Sequence, residues 1–163
     1  MIVVTDPDPE FRDWAVEILE RPQQTILTED LGDAEDAVTE PANDVSVVLV
    51  GPNFDPEDAL RALEHMHDRV PELGSILVSH SGEGWVMQAA MRAGVRDVLT
   101  VPVSNDELVQ AVKRAEDLVK TLRRRGAGQG EPETKRGRII TIFSSKGGCG
   151  KSLVASNMAI LLA

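Results

Sequence analysis

The sequence predicts an α/β fold, a parallel sheet covered by helices on both faces, and two observations carry that prediction. Five short apolar runs alternate with five helical patterns between Ile2 and Leu122, the order expected of repeated strand-helix units. Several of the helical patterns open on an Asp or Ser followed by a proline or an acidic first turn, the residues that satisfy free amides at a helix start.

The first strand is read at Ile2 to Thr5 and its helix at Pro9 to Leu19. Thr25 to Thr28 and Asp33 to Thr39 form the second pair, Val45 to Val50 and Pro56 to Asp68 the third. Ser75 to Ser79 is the fourth strand; the helix after it runs from Glu83 to Ala93 and closes on Gly94 as a left-handed cap. Asp97 to Val101 is the fifth strand, and a final helix spans Asn105 to Leu122. Leu108, Val112, Ala115, Val119 and Leu122 lie at alternating four- and three-residue steps, so one stripe of this helix faces the sheet or another helix. An ordinary packed helix explains the stripe, and a dimer contact is the alternative. No internal repeat is visible. Five such units suit a flavodoxin-like sheet of order 2-1-3-4-5, whose ligands sit at the C-terminal strand ends.

Composition sets the outer limits. The 163 residues carry a net charge of −10, but residues 1–112 hold 23 acidic and 6 basic side chains while residues 113–163 hold 4 and 11, a division of −17 against +7. An acidic front half makes nucleic acid an unlikely ligand. The basic run Arg123, Arg124, Arg125, Lys135, Arg136 and Arg138 is read as a solvated linker, with an anionic membrane or an acidic partner as the alternative contact. Residues 126–137, GAGQGEPETKRG, have a connector's composition. No apolar run approaches the roughly 20 residues of a membrane span, the N-terminus lacks the pattern of a signal peptide, and a cytoplasmic location is expected. The single cysteine, Cys149, has no internal disulfide partner. Three segments result: 1–124, a linker at 125–137, and 138–163.

The third segment carries the most specific motif. RIITIFSSKGGCGKS, residues 138–152, reads as an apolar strand entering a glycine-rich loop that opens a helix. Gly147, Gly148 and Gly150 let backbone amides curl round an anion, and the helix N-terminus aims its positive end at it. Lys151 is placed to reach the β- and γ-phosphates of a nucleotide, and the Ser152 hydroxyl to join the shell of a magnesium ion. Ser145 stands where the general phosphate-loop pattern has its first glycine, and Lys146 precedes the glycines. This KGGCGK[S/T] form resembles the deviant phosphate loop of the ParA/MinD ATPases. The resemblance implies that Lys146, Gly147, Gly148, Cys149, Gly150, Lys151 and Ser152 bind ATP with Mg2+, and that Lys146 reaches across a dimer sandwiching two nucleotides. The strand, loop and first helix lack the later acidic positions of such domains, so this segment alone is expected not to hydrolyse ATP.

The first segment, with AMRAGVRDVLTVPVSNDELVQAVKRA at 90–115, resembles response-regulator receiver domains (CheY-like). By that resemblance Asp6, with Asp8, stands where receivers hold magnesium, and Ser79 where a hydroxyl meets the phosphoryl group. Two positions depart from the pattern. The expected phosphoacceptor aspartate is Val50 or Gly51, and the lysine expected before a cis proline is Val101, ahead of Pro102. Asp55 is the nearest other carboxylate and reads as a helix N-cap. A pseudo-receiver, not phosphorylated and kept for interaction or dimerisation, is therefore expected, and no catalytic residue is assigned.

A degenerate receiver, a basic linker and a deviant phosphate loop together resemble the TadZ/CpaE pilus-assembly family. That resemblance implies a homodimeric, ATP-binding factor for Flp (tight-adherence) pili, recruited to the cell pole or inner membrane face, with pilus-assembly or polar-localisation proteins as partners. A non-hydrolysing scaffold and a genuine two-component response regulator are the alternatives. His65, His67 and His80 are read as packing or surface residues, since His65 and His67 cannot share a helix face. Trp14 and Trp85 are read as packing residues without stacking partners.

Overall fold

In a computed structural model, the structure describes residues 1–80, 82 and 84–126. The chain divides into a unit from Met1 to Gln129 and another from Gly130 to Ala163. The phosphate loop, Lys146 to Ser152, and most of the linker lie outside the described residues.

The elements follow the order β1 (Ile2–Thr5), α1 (Pro9–Leu19), β2 (Thr25–Thr28), α2 (Leu31–Thr39), β3 (Val47–Val50), α3 (Pro56–Arg69), β4 (Gly74–Ser79), α4 (Gly84–Arg92), β5 (Asp97–Thr100) and α5 (Asn105–Gly126). All strand pairs are parallel and the sheet order is β2-β1-β3-β4-β5, as the sequence predicts. Single-turn 3-10 segments at Pro22–Gln24 and Pro41–Asn43 fill two of the connections.

Alternate residues of each strand enter two separate apolar layers, because successive side chains leave opposite faces of a sheet. Val3, Val48, Val50 and Leu77 pack with α2, α3 and α4, around Leu63 and Met66. Ile2, Val4, Leu49 and Ile76 pack with α1 and α5. Leu108, Val112, Ala115 and Val119 of α5 are buried, so the protein's own sheet covers the stripe that had two readings.

The differences from the sequence reading lie at element ends. α2 starts two residues early, at Leu31, because Asp30 is its cap and accepts the Asp33 N–H at 2.8 Å. β3 begins at Val47: Ser46 N–H already donates to Met1 O at 2.9 Å, and Val45 O accepts from Arg123 at 3.0 Å. β5 stops at Thr100, although Val101 N–H still donates to Ser79 O at 3.0 Å; Pro102, joined by a cis bond, has no N–H to continue the ladder. α5 runs past Leu122 to Gly126 because Arg123 is no linker residue. Its guanidinium meets Asp44 Oδ1 at 2.8 Å and Glu72 Oε2 at 3.8 Å, tying the helix end to the N-terminal edge of the sheet.

Gly94, at φ 80°, closes α4 as expected: Val95 N–H donates to Ala90 O and Gly94 N–H to Met91 O, the paired bonds of a left-handed cap. The start of α5 is a capping box. Ser104 N–H and hydroxyl donate to Glu107 Oε2 at 3.0 and 2.8 Å, and Glu107 N–H returns a bond to Ser104 Oγ at 3.3 Å. Those two bonds, the backbone one first, hold the Glu107 carboxyl below its usual pKa.

Candidate functional site

The C-terminal ends of β1, β3, β4 and β5 form one cup, and its floor is Asp6. Asp6 is fully buried just past β1, and its carboxylate is held by N–H donors on both oxygens. Asp8 N–H donates to Oδ1 at 2.7 Å, Asn53 Nδ2 to Oδ1 at 2.9 Å, and Asn53 N–H to Oδ2 at 3.1 Å. Such bonds to an ionised acceptor are what makes a buried carboxylate tolerable. Arg12, itself buried on α1, donates to the main-chain oxygens of Asp6 and Pro7 and reaches Glu29 Oε1 at 3.2 Å, bracing the same loop.

Register decides between the two candidate acceptor positions. Val50 pairs with Thr5 and lies in the layer under α2, α3 and α4, so Gly51, the next residue, is the one that faces the cup. A Cβ on Gly51 would lie 2.0 Å from Asp6 Oδ2 and 2.6 Å from its Cγ. The Asp6 carboxylate thus fills the space that a side chain at 51 would need. Asp8 and Asp55 both cap helices, Asp8 Oδ1 accepting Glu10 N–H at 3.0 Å and Asp55 Oδ1 accepting Glu57 N–H at 2.9 Å.

A receiver fold implies a magnesium ion at this cup, and the residues present do not fit one. Each Asp6 oxygen already accepts an N–H bond, Asp8 caps α1, position 51 offers no carboxylate, and no group of three or more His, Cys, Asp or Glu side chains among the described residues is arranged to hold a metal.

The β4–β5 side of the cup is mostly apolar, with Val78, Val101, Pro102 and Val103 beside His80. Ser79 is buried at the end of β4, and Val101 stands at the start of the turn after β5. Between this side and α1 opens a cavity of about 400 Å³, walled by Phe11, Trp14, Val78, Val101, Pro102 and Val103. Asp8, Glu10, Asn53 and His80 line the rest of it.

Two expectations for the aromatic residues are corrected. Trp14 has a ring partner: Phe11, one turn earlier on α1, has its centroid 5.5 Å away at 45°. Trp85 is 45% exposed on α4, as Met87 and Met91 of the same helix are also exposed, and is no core residue. The histidines behave as read. His65 is exposed with Nδ1 3.8 Å from Glu35, His80 is exposed, and His67 Nε2 lies 2.8 Å from the Ser75 hydroxyl, where burial lowers its pKa against the opposing pull of Asp68. Sequence reasoning missed Arg12 and Asn53. Arg12 does fall on the buried stripe of α1 with Ala15 and Leu19, a signal that a cation in that position has a structural partner.

The fold with this cup is that of a receiver domain. The protein resembles a CheY-like response regulator receiver domain from Methanospirillum hungatei JF-1 at TM-score 0.66 and 18% identity, over 74% of this chain and 96% of that one. It also resembles a putative pilus assembly-related protein from Burkholderia pseudomallei K96243, at TM-score 0.61 and 23% identity, over 72% of this chain and 89% of that one. NtrX from Brucella abortus, solved in complex with ATP, matches at TM-score 0.64 and 20% identity, over 98% of this chain and 34% of that one. No protein-family model matches the sequence, and no curated protein matches it.

Proposed function

We propose that this receiver fold serves recognition of another protein and does not accept a phosphoryl group. The observation that carries the reading is the contact between Gly51 and Asp6: the acceptor position has no carboxylate and no room for one. Val101, in the position expected of the lysine, removes the cation that would neutralise a phosphoryl group.

In the same reading the domain acts in front of an ATP-binding segment, Lys146 to Ser152, in a TadZ/CpaE-like factor for Flp pilus assembly that dimerises with ATP and Mg2+ bound. The loop motif and the likeness to a pilus assembly-related protein support this part. The second reading, a two-component response regulator, is favoured by the complete receiver topology and the likeness to receiver domains.

Incubation with acetyl phosphate and Mg2+, followed by intact-mass measurement, separates them. No phosphoryl adduct is expected. Stoichiometric labelling, at Asp6 or Asp55, would overturn the first reading. For the loop, Lys151→Ala should abolish ATP binding, and Lys146→Ala should retain binding but lose ATP-dependent dimerisation; unchanged binding in Lys151→Ala removes the ATP assignment.

A further inference from the structure

We propose that the cavity beside the cup is a binding site for an organic cation, a guanidinium or alkylammonium group carried on an apolar body. A phosphoryl-accepting cup needs cationic groups, and this one has the opposite charge character. Asp8 and Glu10 line the cavity, and neither a lysine nor an arginine does. Neither carboxylate has an ion-pair partner among the described residues.

The walls point the same way. Phe11 and Trp14 form a tilted ring pair on one side, and aromatic faces attract cations through their quadrupole, most strongly for tryptophan. Val101 and Pro102 opposite supply the apolar surface that a body such as an arginine stem or a benzyl group would cover. At about 400 Å³ the cavity falls within the range of small-ligand sites, roughly 300–1,000 Å³. The chemistry would come from an arginine or lysine side chain of a partner protein or from a free small amine. The proposal rests on the cup being unphosphorylated, a point read by mass, whereas cation binding is read by fluorescence, so the two fail separately.

The test uses the full chain with Trp85→Phe, leaving Trp14 as the only indole. Benzyltrimethylammonium and the amidated peptide Gly-Arg-Gly are the cationic probes, benzyl alcohol the neutral comparator and inorganic phosphate the anion. A saturable change in Trp14 emission with either cation is expected, and the tighter of the two identifies the source. Affinity should fall about tenfold in Glu10→Gln combined with Asp8→Asn, the latter keeping a side chain that caps α1. Glu10→Gln alone, at an exposed position, should weaken binding in the same direction. Binding of benzyl alcohol or phosphate as tight as that of the cations, cation binding unchanged in both variants, or no saturation by about 50 mM of either cation would each overturn the proposal.

Discussion

The two sides of the cup solve different problems with the same backbone. On the β1–β3 side a buried carboxylate accepts N–H bonds on both oxygens, with Asn53 and the Asp8 amide as donors and Gly51 making room. On the β4–β5 side Val101 stands where the lysine is expected, against a cavity with aromatic walls that Asp8 and Glu10 also line. In the proposed reading the first side is structural: a buried charge costs several kcal/mol unless bonded, so Asp6 cannot be changed cheaply. The second side carries no such constraint. It has room to adopt a new ligand.

The strongest way to break this contrast is Gly51→Ala. The added methyl must displace a buried, hydrogen-bonded carboxylate, so a loss of about 3–5 kcal/mol is expected in urea denaturation. Adding Asp6→Ala should recover part of that loss, giving a coupling above about 0.5 kcal/mol in the double-mutant cycle. A Gly51→Ala chain within about 1 kcal/mol of the parent would show that Asp6 yields readily, and the first side would no longer count as rigid.

On the other side the test is Ser104→Ala, which removes one half of the capping box that starts α5 just beyond Val103. A loss of about 1 kcal/mol is expected, well below the effect at Gly51. An equal or larger loss would show that the two sides are equally constrained.

His67 lies on α3, against Ser75 of β4, and reports on the fold away from the cup. Burial lowers its folded pKa from 6.5, so the unfolded chain takes up the proton first as pH falls. Stability should therefore be level above that value, decline as pH drops through 6.5 toward the lower folded pKa, and level off again below it. Melting temperatures of the parent and His67→Gln across this window check the sign: the variant should lose the slope. A parent that gains stability on acidification there would contradict the burial.

Much of the fold was legible because it depends on local signals. Ile2 to Thr5, Thr25 to Thr28 and Pro9 to Leu19 fall where apolar runs and an Asp8-Pro9 start place them, and Gly94 ends α4 where only a left-handed residue fits. Boundaries drifted where a partner distant in sequence decided them. Arg123 extends α5 through Asp44, a contact across 79 positions that no local pattern contains. The stripe on α5 could not be assigned to sheet or partner, because periodicity reveals that a face is buried without naming what buries it.

At the site, the sequence by itself determined what is missing, no carboxylate at Val50 or Gly51 and no lysine at Val101, and marked Asp55 as a helix cap. It also carries the phosphate-loop motif at Lys146 to Ser152. Only the tertiary structure decided that Gly51, rather than Val50, faces Asp6, since that follows from strand register and the alternation of side chains. It also decided that Asp6 is held by Asn53 and main-chain amides, and that Phe11, Trp14 and Val101 share one cavity. These are contacts between segments far apart in the chain, and they exist only once the sheet brings the C-terminal ends of its strands together.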